Sequence, residues 1–313
     1  MKVGIVGVGA VGAATAMAIA LRARVRDLVL LDRDRARAKA VATDMHYGVP
    51  LSPLVTVSDG AYDDLAGAGL VIIAAGVNEK AGGATDRNDP AGRLRLLEPN
   101  VKVFEEIVPR LVKAAHEAVI LIATNPPEPL VEITRHLAGH DRVLSTSTYL
   151  DTLRFRVHLA ERFGVSPACV DAYVVGEHGT SSVFLWSSAR IGGMSVEDML
   201  RQRRIAPDEF RRAIEHDVRY ANITIIEGIG ASQYGIGMVA GRVAEVVLRD
   251  ERAVFPVGSH NPRYGVAVSL PSVVGEAGVS EVLWPEMSES ETGALARSAE
   301  HIRTAVAKFI KPS

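Results

Sequence analysis

The chain has 313 residues, which is enough for about two domains of ordinary size. Hydrophobic residues make up 48% and charged residues 23%, a profile typical of a soluble globular enzyme. The net charge of −2 gives no electrostatic reason to expect binding to nucleic acid or to an anionic membrane. The single cysteine, Cys169, excludes an internal disulfide and a cysteine-ligated metal cluster, so we expect no metal and a small buried side chain at this position.

The apolar stretch from residue 3 to residue 21 superficially resembles a secretory signal. Glycines at positions 4, 7, 9 and 12 interrupt this stretch where a strand must turn into a helix. The next longest apolar run, residues 66–77, is too short to cross a bilayer. The pattern therefore predicts a cytoplasmic protein that does not span a membrane.

Short apolar runs alternate with helical patterns in the first half of the chain. The runs lack polar alternation, as expected of strands that are buried on both faces of a parallel sheet. The predicted strands are 3–6, 28–31, 70–74, 119–123 and 142–145. The predicted helices are 13–23, 35–46 and 94–116. This alternation predicts right-handed crossovers and an α/β fold with a doubly wound parallel-sheet Rossmann domain over residues 1–146.

The alternation ends near residue 147, so we assign residues 147–313 to an α+β substrate-binding and catalytic domain. Helices are predicted over 151–163, 208–228 and 235–249, with strands at 254–257 and 266–270. Ser288 and Glu291 have the spacing of a capping box and predict the start of a last helix. The apolar stripe of this helix consists of Leu295, Ala299, Ile302, Val306 and Phe309.

The turn from the first predicted strand into the first helix carries the pattern Gly7-Val8-Gly9-Ala10-Val11-Gly12. Glycines in this pattern allow a tight turn, let the backbone approach a pyrophosphate, and bring the helix against the strand. The start of the helix offers N–H groups and the positive end of its dipole to phosphates. We therefore predict dinucleotide binding through Gly7, Gly9, Ala10, Val11 and Gly12.

Asp32 lies about twenty positions after Gly12, at the end of the second predicted strand. A carboxylate at this place would accept hydrogen bonds from the ribose hydroxyls of NAD and repel the additional phosphate of NADP. Arg33 would attract that phosphate, so NADP is disfavoured rather than excluded. The alternative is that Asp32 caps the helix at residues 35–46. The surrounding fingerprint favours NAD as the cofactor.

Several separated motifs follow one another in an order that resembles the lactate/malate dehydrogenase family, from residue 1 to about residue 308. Besides the glycine pattern they are Asp44-Met45-His46-Tyr47-Gly48, Thr124-Asn125-Pro126-Pro127, Leu150–Phe155, Gly176–Gly179, Ile236-Gly237 and Ser269-Leu270-Pro271. Each motif alone is modest evidence, whereas chance does not readily produce all of them in this order. The resemblance implies an NAD-dependent L-2-hydroxyacid dehydrogenase.

The resemblance assigns roles that the chemistry of the side chains also supports. His178 would exchange the hydroxyl proton, Asp151 would orient its ring, and Arg154 would hold the substrate carboxylate through two hydrogen bonds. Asn125 resembles the asparagine that contacts the nicotinamide ribose and the reacting oxygen, although an asparagine before two prolines also commonly starts a turn. Ile236 would pack against the nicotinamide ring or, by periodicity alone, belong to the core. Taken singly, His178 would be a structural histidine, and the Asp151–Arg154 pair an ordinary pair on a helix surface.

In the resembled family, a mobile loop after the strand at residues 70–74 carries two diagnostic positions. Counting forward from Gly76, which we also place at the cofactor, puts Glu79 at the substrate-selecting position. Counting back from Asn100 puts Arg93 at the position of the arginine that polarises the substrate carbonyl. The two counts disagree by several residues, so residues 81–92 contain an insertion. Glu79 would repel a second carboxylate, whereas Arg87 would attract one and competes with Arg93 for the catalytic role.

Ser232 occupies a position where lactate-type members of the family often have threonine. It leaves room for one more methyl group, which would suit a 2-keto acid larger than pyruvate. Glu79 slightly favours a lactate dehydrogenase-like enzyme, and the alternative is a malate dehydrogenase that uses Arg87 for the second carboxylate.

Two remote alternatives come from other functional classes. One is an NAD-dependent glycoside hydrolase of related fold, disfavoured because no cysteine ligand lies near Asn125. The other is a catalytically silent NAD-binding protein. The resemblance also implies a homodimer or homotetramer, in which the small apolar face of the helix at 13–23 is a candidate contact between subunits.

Overall fold

The computed structural model describes residues 1–22, 25–86, 89 and 92–310. Within this part, strands of the first half are β1 (Lys2–Val6), β2 (Asp27–Leu31), β3 (Thr56–Asp59), β4 (Ala68–Ile73), β5 (Val119–Ile122) and β6 (Val143–Ser145). The second half contains β7 (Val170–Asp171), β8 (Val174–Val175), β9 (Val183–Phe184), β10 (Arg190–Ile191), β11 (Met194–Ser195), β12 (Ala253–Asn261), β13 (Val266–Gly275) and β14 (Gly278–Val282).

The helices include both short and long examples. They are α1 (Ala10–Arg22), α2 (Arg35–Gly48), α3 (Leu97–Ala114), α4 (Pro127–Ala138), α5 (Tyr149–Phe163), α6 (Val196–Arg203), α7 (Pro207–Ile229), α8 (Tyr234–Arg249) and α9 (Glu289–Val306). Short 3-10 helices cover Val49–Leu51, Tyr62–Leu65, Gly92–Leu96 and Pro167–Cys169. Among the described residues, no helix has both the length and the apolar character that a membrane span requires.

A nine-stranded sheet is the centre of the fold. Its six parallel strands lie in the order β3-β2-β1-β4-β5-β6, which is the strand order of the doubly wound dinucleotide-binding fold. One face packs against α1, α2 and α8, and the other against α3, α4 and α9. Because both faces are covered, the central strands are apolar throughout. The predicted fold class of the first half is confirmed.

The sheet continues into the second half of the chain. Strands β12, β13 and β14 extend it beyond β6 in antiparallel order. The remaining short strands form two small sheets, β11-β10-β7 and β8-β9, which contribute to further apolar cores together with α5, α7 and α9. The predicted α+β class of this half is confirmed, and the large sheet runs across the predicted boundary near residue 147.

Two elements of the first half were not predicted. β3 was not predicted because only Val57 of its four residues is buried, so that the sequence has no apolar run there. α4 was not predicted because Pro126 and Pro127 indicated a turn. In the structure, Pro127 is the first residue of the helix, a position to which the fixed φ of proline is well suited. The capping box of Ser288 and Glu291 is confirmed at the start of α9.

One expectation about the surface was wrong, and another was left untested. Cys169 is exposed rather than buried, because it ends a 3-10 helix at the protein surface. The small face of α1 packs within the chain, since a Cβ added to Gly237 or Gly241 of α8 would approach Ala14 or Ala18 to 2.8 Å. That face of α1 therefore serves the close contact with α8, and the contact of this helix with another subunit stays a prediction.

Candidate active site

A cavity lies at the carboxyl ends of the parallel strands and is closed by α5, the loop after β8 and the start of α8. Its volume is about 90 Å³, well below the roughly 300–1,000 Å³ of pockets for drug-sized ligands, so it suits a small molecule. Residues predicted for the site that line it are Val11, Gly76, Glu79, Arg93, Asn125, Arg154, His178, Ser232 and Ile236. Other lining residues, to which the sequence analysis assigned no role, include Thr124, Thr146, Ser147, Leu150 and Asn222.

His178, Asp151 and Arg154 form a connected, buried group. The Nδ1 atom of His178 contacts one carboxylate oxygen of Asp151, and Arg154 NH1 donates to the other at 3.0 Å. The side chains are only 12%, 9% and 12% exposed, respectively. The two carboxylate oxygens therefore hold the imidazole and the guanidinium in fixed relative positions. Asp151 and Arg154 do pair along the helix, but in a buried site rather than on its surface.

The electrostatics of this group follow from burial and from its neighbours. Burial alone would raise the pKa of Asp151, but the contact with His178, aided by Arg154 and Arg93, holds that pKa well below its usual range. Burial and the nearby Arg93 lower the pKa of His178, against the opposing effect of Asp151. The carboxylate is therefore ionised, and His178 is poised as a neutral base beside it.

The main chain around His178 is fixed by a different element at each residue. Gly176 exchanges backbone hydrogen bonds with Ser269 of β13 at 2.9 and 3.1 Å. The N–H of Glu177 donates to Ser298 Oγ of α9 at 2.9 Å, and the N–H of His178 donates to Glu128 of α4 at 3.1 Å. The sequence did not point to these partners, because the contacts are between residues far apart in the chain.

Glu79 and Asn125 are directly linked. Asn125 Nδ2 donates to Glu79 Oε1 at 2.6 Å, so Glu79 faces the cavity as the forward count predicts. Asn100 is fully buried and ties the same two segments together, donating to the carbonyl of Asn125 at 2.7 Å and accepting from the N–H of Val77 at 2.6 Å. Asn125 follows β5 and precedes Pro126 through a cis peptide bond. The residue used only to count positions, Asn100, thus turns out to support the site.

Arg93 approaches the cavity from the 3-10 helix Gly92–Leu96. Its NH1 atom donates to the carbonyl oxygen of His178 at 3.4 Å. Its buried Nε finds no hydrogen-bond partner among the described residues. Arg93 therefore brings positive charge and unused N–H groups close to the imidazole. Its rival Arg87 lies outside the described residues.

Ser232 and Ile236 lie at the start of α8, opposite the loop of His178. Asn222 of α7 joins them as a buried polar side chain that the sequence analysis missed. A signal for it was present, since it falls on the buried stripe of Val218 and Ile226, where a polar residue is unexpected.

The glycine turn has the shape that a dinucleotide requires. Gly7 has φ +93°, and a Cβ on Gly12 would lie 1.9 Å from the carbonyl oxygen of Gly7, so both positions need glycine. A Cβ on Gly9 would meet no atom within 4 Å, which leaves open space beside the N-terminus of α1. The first N–H groups of that helix lack partners within the helix. This space suits the pyrophosphate of NAD.

Asp32 ends β2 beside this turn and does not cap α2. Its carboxylate accepts from the N–H of Val8 at 2.7 Å and from the N–H of Asp34 at 2.9 Å. The cap of α2 is Asp34, which accepts from the N–H of Arg37 at 3.2 Å. The alternative in which Asp32 caps the helix is therefore wrong. Among the described residues, no cluster of histidine, cysteine, aspartate and glutamate has the arrangement of a metal site.

Fold and site together define an NAD-dependent oxidoreductase that acts on a CH–OH group. The family model of the lactate/malate dehydrogenase NAD-binding domain matches residues 1–144, and that of the lactate/malate dehydrogenase alpha/beta C-terminal domain matches residues 148–311. The chain belongs to the lactate/malate dehydrogenase family. This membership gives no support to the glycoside hydrolase alternative.

Curated relatives and a solved structure agree with this assignment. The chain is 45% identical over 313 residues to L-lactate dehydrogenase of Thermus aquaticus, covering 97% of this chain and 98% of that protein. It is 43% identical over 309 residues to L-lactate dehydrogenase of Chloroherpeton thalassium, covering 98% and 99%. The crystal structure of minor L-lactate dehydrogenase from Enterococcus mundtii superimposes with a TM-score of 0.90 at 29% identity, covering 99% of both chains.

Proposed function

We propose that the chain is an NAD-dependent L-lactate dehydrogenase that interconverts a small 2-oxo monocarboxylic acid and its L-2-hydroxy acid. The observation that carries this proposal is the buried group of His178, Asp151 and Arg154 in a small cavity beside the dinucleotide turn. The relatives at 43–45% identity over nearly the whole chain are named L-lactate dehydrogenase, which supports the same substrate class.

Arg154 binds the substrate carboxylate in this proposal. One of its guanidinium nitrogens donates to Asp151, and the remaining N–H groups of the fork are suited to a second carboxylate. Arg93 lies across the cavity near His178 and stabilises the negative charge that develops on the substrate oxygen. The two cations thereby orient the carbonyl group relative to the imidazole.

His178 moves the proton. Its Nδ1 is committed to Asp151, so Nε2 is the ring nitrogen that faces the reacting oxygen. In the oxidation of the alcohol, neutral His178 accepts the hydroxyl proton, and Asp151 stabilises the imidazolium that results. In the reduction of the 2-oxo acid, the imidazolium returns this proton to the oxygen. The dinucleotide, when bound, would supply the hydride for the carbonyl carbon in its reduced form and would accept the hydride in its oxidised form.

The cofactor lies along the glycine turn in this proposal. The open space beside Gly9 and the N-terminus of α1 would receive the pyrophosphate, and Asp32 would bind the adenosine ribose. Asn125 and Ile236 line the cavity at the nicotinamide end, close to Gly76. Because these residues line the same cavity as Arg154, the nicotinamide would lie beside the bound substrate.

Glu79 determines which substrates are disfavoured. Its carboxylate faces the cavity and acts electrostatically on Arg154. A second carboxylate on the substrate would be repelled, so oxaloacetate is a poorer substrate than pyruvate. Ser232 lines the same cavity and leaves space for substituents larger than methyl.

The direct test measures NADH oxidation by the purified protein with pyruvate, oxaloacetate and bulkier 2-oxo monocarboxylic acids at equal concentrations. We expect kcat/KM to be higher for a monocarboxylate than for oxaloacetate. A clear preference for oxaloacetate would instead support a malate dehydrogenase with Arg87 at the second carboxylate. Absence of turnover with every acid would contradict the proposed function.

We further propose that the protein is cytoplasmic and assembles as a homodimer or homotetramer. We also propose that each chain has two domains, residues 1–146 and residues 147–313. Exposed apolar side chains of α1 and α8, namely Met17, Leu21 and Met238, support contact with another subunit. Light scattering at several protein concentrations tests the assembly. A monomer at all concentrations would contradict it.

A further inference from the structure

Glu128 is a buried carboxylate that the proposed chemistry does not use. It lies in the first turn of α4 and is 0% exposed. One of its oxygens accepts from the hydroxyl of Ser147, and the other accepts from the N–H of His178 at 3.1 Å. Among the described residues, no lysine or arginine forms an ion pair with it. Burial of a carboxylate without a cation destabilises the folded protein, so the presence of Glu128 at this place requires an explanation.

The two partners of Glu128 belong to two different walls of the cavity. Ser147 follows β6, lines the cavity and has φ +42°, a left-handed conformation that is uncommon for serine. His178 belongs to the loop after β8. Glu128 itself lies three residues after Asn125, which lines a third wall. A single carboxylate thus connects three segments that must keep their spacing around a substrate.

We propose that Glu128 is a positioning residue of the reaction, whose carboxylate fixes the main chain of His178 relative to Ser147 and thereby the reach of the imidazole. The contact with Asp151 fixes the ring at its Nδ1 side, and the contact with Glu128 fixes the backbone from which the ring projects. Both constraints are needed, because a displacement of about 1 Å in a reacting group costs on the order of 10²-fold in rate. The inference rests on the proposed function in assigning proton transfer to His178.

At position 128, substitutions can separate the effect of the carboxylate charge from the effect of the two hydrogen bonds. The pKa of Glu128 is raised to about 7, mainly by burial and also by the neighbouring Glu177, against the opposing hydrogen bonds from Ser147 and His178. A glutamine has the shape of the protonated form. Its carbonyl oxygen can accept from the N–H of His178, and its NH₂ group can donate to the hydroxyl oxygen of Ser147. Glutamine therefore preserves both links, whereas alanine leaves two buried donors without an acceptor.

Glu132 provides a matched control one turn later on the same helix. It is also buried, at 6% exposure, and its partners are His260 of β12, at 2.8 Å between Oε1 and Nδ1, and Arg135 of the same helix, at 3.9 Å. It does not line the cavity. Loss of Glu132 therefore removes a buried carboxylate from α4, with its contacts to His260 and Arg135, without touching the loop of His178.

The experiment compares Glu128→Ala, Glu128→Gln and Glu132→Ala in the full-length protein, with pyruvate and NADH. We expect Glu128→Ala to lower kcat about 10²-fold while KM and the Kd of NADH change less than about threefold. Glu128→Gln should restore kcat to within about threefold of the starting protein. Glu132→Ala should lower Tm but leave kcat within about twofold. Equal losses of kcat in Glu128→Ala and Glu132→Ala, or an unchanged kcat in Glu128→Ala, would overturn the proposal.

Amide hydrogen exchange gives a readout that does not depend on turnover. The amide of His178 should lose at least about tenfold of its protection in Glu128→Ala and none in Glu132→Ala. If no 2-oxo acid is turned over, the proposed function fails, but the exchange data still decide whether Glu128 holds this backbone. Unchanged protection in Glu128→Ala would reject the anchoring itself. If Glu128→Ala does not fold, Ser147→Ala, which breaks one of the two links, should lower kcat by an intermediate amount, and an unchanged kcat would count against the proposal.

Discussion

The two ends of the proposed active site are built in different ways: the cofactor end is the glycine turn with Asp32, and the proton-transfer end is the surroundings of His178. At the cofactor end, Gly7, Gly9 and Gly12 shape one turn, and Asp32 closes it through the N–H of Val8. At the proton-transfer end, the segment from Gly176 to His178 is held by side chains from three helices, α4, α5 and α9, and by the backbone of one strand, β13. The first end is defined by backbone shape within a short segment, whereas the second is defined by buried charges brought together from the whole chain.

This difference has an energetic consequence. The cofactor end is stabilised by the ordinary packing of a strand, a turn and a helix, and buries few charges. The proton-transfer end buries three carboxylates, Asp151, Glu128 and Glu177, near His178. Each of these carboxylates needs its own hydrogen-bond donors. Mutations at the two ends should therefore differ in kind. Changes at the first should alter affinity for NADH, and changes at the second should alter rate, pH dependence and stability.

Replacing the proposed base separates the two ends most sharply. His178→Asn removes proton transfer but keeps a polar side chain of similar size in the turn. We expect kcat to fall by roughly 10³- to 10⁴-fold, in keeping with the contribution of a general base and its orienting carboxylate. The Kd of NADH, measured by fluorescence, should stay within about twofold. Turnover close to that of the unmodified protein would rule out His178 as the base.

Arg154→Lys tests the carboxylate anchor. A lysine retains the positive charge but cannot donate simultaneously to Asp151 and, through two parallel bonds, to a substrate. Loss of a buried, hydrogen-bonded charge pair costs about 2–5 kcal/mol, so KM for pyruvate should rise on the order of 10²-fold or more. Steady-state kinetics with the Kd of NADH as the internal reference provide the measurement. An unaltered KM would mean that the carboxylate binds elsewhere.

Glu128→Gln should change how stability depends on pH. Because the pKa of Glu128 is raised from 4.5 to about 7 in the folded protein, the folded state retains a proton that the unfolded chain releases between these values. Stability is therefore lost as pH rises through this window, and glutamine avoids that loss. The free energy of unfolding of the variant should gain about 2–3 kcal/mol on the unmodified protein between pH 5 and pH 8.

Ser147→Ala supplies the complementary measurement for this linkage. The hydroxyl of Ser147 lowers the pKa of Glu128, so its removal should move the pH window upward. Denaturant unfolding at several pH values would show both effects. A difference between Glu128→Gln and the unmodified protein that stays constant from pH 5 to pH 8 would show that Glu128 does not titrate in this range.

The same contrast between the two ends explains what could be predicted from the sequence. The glycine turn and Asp32 were predictable, because all of their determinants lie within 32 residues and follow a known spacing. His178, Asp151 and Arg154 were predicted through a family resemblance, and the cavity that brings them together required the fold. The role of Glu128 was not predictable, since its contact with His178 spans 50 positions and no local pattern marks it.

The strands and helices also differ in how much of their formation is determined by local sequence. β2 and β4 were predicted from apolar runs, but β3 has one buried residue and lies at the edge of the sheet, where it pairs with β2 and packs against α2. α4 begins at a proline pair whose local signal is a turn, and only its packing between the sheet and α9 shows why the helix forms there. Tertiary contacts therefore decided the elements whose local signals were weak or ambiguous.

Gly9→Ala tests the cofactor end without disturbing its fold. An added methyl group meets no protein atom within 4 Å, so Tm should stay the same. The methyl group would occupy the space proposed for the pyrophosphate, and the Kd of NADH should rise about tenfold. Gly48→Ala is the matched control, because its Cβ is equally free of contacts at the far end of α2. Equal NADH affinity of the two variants would place the pyrophosphate elsewhere.

Glu79→Gln has the smallest expected effect and links the two ends, since Glu79 accepts from Asn125 while facing the substrate side of the cavity. Glutamine retains an oxygen for Asn125 but removes the negative charge that opposes a second carboxylate. A repulsion between partly screened charges across a small cavity is worth about 1 kcal/mol, so kcat/KM for oxaloacetate relative to pyruvate should rise roughly fivefold. The exposed Glu98→Gln on α3 should leave this ratio unchanged. If the ratio is the same in both variants, selectivity resides in the inserted loop rather than in the charge of Glu79.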